Sequence, residues 1–358
     1  MARGVSLAEQ IPGSTAERFG ALLRGSDAKP DWGMALTLLV LVGLGAGIAA
    51  LLGEMSLAIY TILPFLGAAI GVAMAGPAAG AAMGGALVVV MLVSGLAAAS
   101  PLAAALLFAA VVMWLAIPGR YSPSGRSAVL VLLAFVFASV FAVPGIRAVD
   151  ILRYSGLAAL AGVAVGFVLA RVRARRAAKN PSVAEQPVPA PDAEQPLAAI
   201  VPSHPAYYLG AAIAAVISAA LLYWYLTTET QRALWIFFSF VFVLRPAHPD
   251  TVARSLQRLA GTLVGFVIAV LIGLLPGQLP VVLALVALVP AIAYAQASYA
   301  LSVAATTVDV VILYGAPTGE YLAWGIERTA DVLAGAVLAI GIGALVRWLN
   351  SLADTRSR

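Results

Sequence analysis

The chain has 358 residues, 62% of them hydrophobic and only 10% charged, with a formal net charge of +5. A soluble domain carries roughly 25% charged residues, so this composition calls for an apolar solvent, in which long non-alternating runs satisfy their backbone as helices. The absence of cysteine excludes disulfides, thiolate nucleophiles, iron–sulfur centres and Cys-based zinc sites. His204 and His248, each beside proline, are too few to build a metal site, so no metal or other cofactor is expected.

Residues 1–34 read as a polar segment of mixed charge without the apolar core of a signal peptide, expected in the cytoplasm. Apolar runs then follow near 35–52, 57–75, 80–97, 102–117, 127–143 and 154–170, a first membrane half spanning 35–170. Pro77, Pro101, Pro118 and Pro144 fall at or near the loops between them. Residues 171–205 break the pattern: the basic run Arg171, Arg173, Arg175, Arg176 and Lys179 leads into a Pro-, Glu- and Gln-rich stretch, which reads as a flexible cytoplasmic linker. A second half, 206–348, repeats the count near 207–226, 233–244, 259–275, 280–294, 299–313 and 326–346, and 349–358 forms a tail. The expected fold is an all-α integral membrane protein of about twelve transmembrane helices, arranged as two parallel six-helix halves.

Orientation follows from basic residues. With both termini in the cytoplasm, only Arg147, Arg153, Arg232 and Arg328 of the 21 Lys and Arg residues fall on the far side. That asymmetry satisfies the positive-inside rule and assigns the basic balance to loops rather than to nucleic acid.

An unpaired charge at mid-membrane costs at least ~2.5–3.5 kcal/mol, so charges in spans mark candidate function. Tyr299, Ser302, Thr306 and Asp309 share one helical face, with Thr307 beside it. Read functionally, they form the wall of a translocation path with Asp309 as a proton or cation relay. Read as packing, the hydroxyls bond back to a helix and Asp309 pairs with an arginine. The last span opens with Glu327, Arg328 and Asp331. There Arg328 pairs with Asp331 within the helix, neutralises Asp309, or offers its fork to a substrate carboxylate. Asp150 and Arg153 echo this arrangement at the sixth span. Arg245, Arg254 and Arg258, at the cytoplasmic start of the ninth span, gather anions or face lipid phosphate.

Gly43, Gly45, Gly47, Gly80, Gly84 and Gly85 read as helix-packing seams, without the strand and lysine of a phosphate loop. Tyr223, Trp224, Tyr225, Trp235, Trp324 and Trp348 read as an interfacial belt. No nucleophile, base and orienting group share a recognisable spacing, so an enzyme is not expected.

The stretch through Trp235, Arg245, Pro246, Thr251, Arg258, Gly261, Thr262 and Gly265 resembles the hallmark of the fusaric acid resistance family, close to the aromatic acid exporters. The later run with Tyr299, Thr306, Arg328, Asp331 and Gly335 is similar to that family's closing helices. The first half fits by helix count and by Gly and Pro placement. The resemblance implies a proton-coupled secondary transporter in the bacterial inner membrane that exports aromatic or other organic acids. It also implies a periplasmic adaptor of the membrane-fusion type as partner, beside the lipid bilayer, and admits a homo-oligomer. Large cytoplasmic domains are common in the family, whereas the central linker here is short. Two alternatives stand beside the exporter: a passive organic-anion channel and a non-transporting membrane assembly partner.

Overall fold

The computed structural model describes residues 29–53, 57–116, 146–179, 205–243, 248–295 and 297–356. Among them the chain forms eleven α-helices: α1 (Trp32–Leu51), α2 (Ala58–Ala75), α3 (Pro77–Ala97), α4 (Pro101–Ala116), α5 (Ala148–Lys179), α6 (Pro205–Thr228), α7 (Gln231–Val243), α8 (His248–Gly273), α9 (Leu279–Ala293), α10 (Tyr299–Gly315) and α11 (Tyr321–Arg356). They coincide with eleven of the twelve predicted runs. The remaining run, 127–143, lies outside the described residues, as does Arg245.

Six helices, α1, α3, α5, α6, α8 and α11, are long and apolar enough to cross a membrane, and the chain is a multi-pass helical membrane protein. The other five are shorter. At 1.5 Å per residue the 13 residues of α7 extend only ~20 Å, less than the ~30 Å of a hydrocarbon core.

Helix ends follow local chemistry. Pro77 begins α3 directly after Gly76, whose φ of 89° suits glycine, and Pro101 and Pro205 occupy first positions where no intrahelical N–H is needed. Asp31 caps α1 by accepting from Met34 N at 2.7 Å, and Ser298 caps α10 by accepting from Leu301 N. Two helices run further than the apolar runs foretell. α5 continues through the basic run to Lys179, and α11 reaches Arg356. Ala and Arg are strong helix formers, so the helix outlasts its apolar stretch.

Contacts divide the chain into two compact units, residues 40–203 with 215–227, and residues 1–39, 204–214 and 228–358. In the first unit α2 packs on both α3 and α5. Gly162 and Gly166 of α5 lie against the backbone of Phe65 and Ala69, contacts that advance together along both helices, so α5 runs parallel to α2. Tyr60, Leu87, Met91 and Ile151 fill the adjoining core. In the second unit α8 packs on α10 with Gly261 against Ala300 and Gly265 against Ala304, again parallel. Gly335 of α11 sits on Ile236 and Ser239 of α7, and Asp331 meets Arg232 one turn earlier on each helix, so these two also run parallel. Of the glycines singled out from sequence, Gly45, Gly80 and Gly84 lie in seams, whereas a side chain at Gly43, Gly47 or Gly85 meets nothing within 4 Å.

Candidate functional site

The polar interior of the second unit begins on α8. Thr251, Ser255, Arg258 and Thr262 are spaced four, three and four apart, which puts them on one face. All are buried, between 0% and 6% exposed. The Ser255 and Thr262 hydroxyls have no hydrogen-bond partner among the described residues, nor does the Ser239 hydroxyl on α7. A buried polar atom left unbonded costs roughly 1–3 kcal/mol, and these three hydroxyls are free to meet a polar ligand.

Arg258 holds the centre of this face. Its Nη1 donates to the Tyr299 hydroxyl of α10 at 2.9 Å, and its guanidinium lies 5.5 Å from the Phe242 ring. Arg254, one turn earlier, stacks 3.5 Å over the other part of Tyr299, its ring. Tyr299 is thus gripped by two arginines. The alternative in which Arg258 faces lipid phosphate is set aside by its burial, which arises because α8 turns this face toward its neighbouring helices.

A second basic group joins α7 and α11. Arg328 is 6% exposed and its guanidinium stacks 4.3 Å from the Trp235 ring. Its Nε and Nη1 have no hydrogen-bond partner among the described residues. Asp331 does not form the expected intrahelical pair with Arg328. It accepts instead from Arg232 Nε of α7 at 3.4 Å, because α7 lies parallel against α11 and brings Arg232 alongside. Arg232 remains 56% exposed while Asp331 is 1% exposed, and the second carboxylate oxygen of Asp331 is unpartnered.

Arg232, Trp235, Val310, Val311, Trp324, Glu327 and Arg328 line a small recess between α7, α10 and α11. Tyr314 bridges its aromatic walls, with ring centroids 5.5 Å from Trp235 and 5.2 Å from Trp324. Trp235 and Trp324 are therefore recess residues rather than part of an interfacial belt, which Tyr223, Trp224 and Trp348, all well exposed, still fit.

The α10 stripe divides. Tyr299 points to α8, Ser302 donates to Ala291 O of α9 at 2.6 Å, and the exposed Thr306 bonds back to Ser302 O at 2.8 Å. Asp309 is half-buried and lies on the side of α10 nearly opposite the buried stripe of Ala300, Val303, Thr307 and Val311. Its Oδ1 is unpartnered among the described residues, and α10 lines the recess with Val310 and Val311 instead. No ion pair joins Arg328 to Asp309 among the described residues.

Residues 212–342 match the family model described as fusaric acid resistance protein-like. The match runs from within α6 into α11 and takes in Arg254, Arg258, Tyr299, Asp309, Arg328 and Asp331. It covers less than half of the chain, and no curated protein and no solved structure matches. The family points to membrane transport of the efflux type. Sequence reading passed over Arg232, Ser239 and Ser255 as site residues. The four-three-four spacing of polar residues in α8 was the available signal for Ser255; Arg232 and Ser239 become visible only through the packing of α7 on α11.

Proposed function

We propose that this protein is an inner-membrane secondary transporter that exports organic acids, aromatic ones among them, with Arg258 and Arg328 drawing in the carboxylate. The observation that carries the reading is the burial of both arginines, 6% exposed each, beside the polar face of α8. Two guanidinium groups inside a membrane protein are expensive, and such charges mark substrate paths by default. An anionic solute supplies acceptors for their unbonded N–H groups. Asp309 is the proton carrier in this scheme, on the opposite side of α10, so that anion and proton follow separate faces of one helix.

The twelve-helix arrangement belongs to the same proposal. In both halves the second and sixth runs pack parallel through glycine, α2 with α5 and α7 with α11, as repeated halves require. A periplasmic adaptor fits an exporter that must clear a second membrane.

The separation of Asp309 from the arginines favours a second reading, a passive organic-anion channel, because the basic path is complete without a titrating acid. Efflux of aromatic carboxylic acids from expressing cells, with and without a proton uncoupler, separates the two. Uncoupler-sensitive efflux that is lost in Asp309→Asn is the result expected. Efflux that ignores both the uncoupler and the substitution overturns proton coupling in favour of the channel.

A further inference from the structure

The charge of α5 is concentrated at one end. Its apolar span closes at Val172, yet the helix continues to Lys179, and residues 171–179 hold Arg171, Arg173, Arg175, Arg176 and Lys179 without a single acid. The helices packed beside it stop short of that run. Gly162 lies against Phe65 and Gly166 against Ala69, and the same register brings Ala75, the last residue of α2, level with Val172. Gly84 of α3 lies against Ala159, so α3, which runs the other way, begins at Pro77 level with Gly166. The basic turns therefore project past both neighbours. Arg171, Ala174 and Arg175 are exposed, and no ion pair to Arg171 or Arg175 is found among the described residues. From Val172 to Lys179 the helix rises roughly 10 Å, enough to cross a headgroup layer roughly 5–8 Å deep.

We propose that the basic turns of α5 are a binding surface for anionic phospholipid headgroups, which gather at this helix end in preference to zwitterionic ones. Arg171, Arg175 and Lys179, four apart, share one stripe of the helix, while Arg173 and Arg176 take other positions around it. The charge is thus a collar rather than a single contact. Phosphodiester oxygens accept from guanidinium forks in charge-assisted bonds. The helical frame matters: in a flexible linker the same cations would range over many heights, whereas an unbroken helix holds them where the apolar span ends. Each cation at that level favours anionic lipid by about fivefold before screening by salt. This inference needs only the membrane location of the chain and is independent of the transport reading.

The lack of cysteine lets a single reporter be placed at will. Ala174→Cys in the full chain carries a fluorescent donor, and Thr318→Cys, in the exposed turn before α11, serves as the reference site. Each protein is reconstituted into phosphatidylcholine vesicles holding the same small fraction of an acyl-chain-labelled acceptor, either phosphatidylglycerol or phosphatidylcholine. The ratio of energy transfer to the two acceptors is expected to be at least about twofold higher at residue 174 than at residue 318, and to fall to the reference between roughly 50 and 500 mM NaCl. Replacing Arg171, Arg173, Arg175, Arg176 and Lys179 together by Gln, which propagates a helix nearly as well as Arg or Lys, removes the excess. The salt series on the unaltered run stands even where that variant fails to fold. Equal ratios at the two sites, an excess unmoved by salt, or one that survives the Gln substitutions overturns the proposal. Two other occupants would overturn it as well. Loss of the excess on adding inorganic phosphate, but not NaCl of equal ionic strength, assigns the collar to soluble phosphate; an excess that appears only when Glu185, Asp192 and Glu194 are replaced by Gln assigns it to the chain's own acids.

Discussion

Tyr299 shows how much one side chain connects. Its hydroxyl accepts from Arg258 and its ring carries Arg254, so the two functions can be removed separately. Tyr299→Phe leaves the ring and strips the acceptor, exposing Arg258 to an unsatisfied-donor penalty of roughly 1–3 kcal/mol. The expected result is a KM for acid efflux raised about tenfold, with Tyr299→Leu worse because the stacking also goes. Equal KM values for wild type and Tyr299→Phe would show that Arg258 does not need this anchor. Arg254, Arg258, Tyr299 and Arg328 stand out in sequence because charge and aromatic hydroxyl are rare in an apolar run. Arg232 does not, since an arginine next to a span end is ordinary there; only the register of α7 against α11 makes it the partner of Asp331.

Between helices, glycine sets the distance. Gly261 and Gly265 let α8 close onto the backbone of α10, and that closeness brings Arg258 within reach of Tyr299. A leucine at Gly261 has to displace Ala300 and Val303, a cost of roughly 1–3 kcal/mol for overpacking. Gly261→Leu should lower the thermal unfolding midpoint in detergent and weaken efflux together. Gly85→Ala, with nothing within 4 Å of the added carbon, should leave both unchanged. Identical midpoints for the two variants would refute this account of the seam. The sequence places the helices, but it does not distinguish Gly261 from Gly85, because both sit in the same small-residue composition and only the facing helix tells them apart.

Across the whole molecule the natural lack of cysteine makes topology directly measurable. Thr318, in the turn between α10 and α11, and Ser351, near the end of α11, are both exposed and are separated by the last long span. With a cytoplasmic C-terminus, Thr318→Cys reacts with an impermeant maleimide on intact cells, and Ser351→Cys reacts only after permeabilisation. The opposite pattern would invert the positive-inside assignment. Labelling of both residues from one side would contradict the crossing of α11 altogether.

What the amino-acid order determined unaided is the solvent and the element: long runs of apolar residues have to be helices in a bilayer, and eleven of them are helices here. It also marked the fusaric acid resistance-like stretch, because arginine, proline and glycine at those places stand against an apolar background. Which charges meet was left to packing. Helical periodicity says which residues share a face but not what that face opposes, so it left Asp331 or Asp309 as partner for Arg328 and Asp309 as either a relay or an arginine's partner. Three-dimensional contact instead joins Asp331 to Arg232, stacks Arg328 on Trp235 and turns Asp309 to the far side of α10, since partners on different helices are chosen by register and rotation, which no single run of sequence contains.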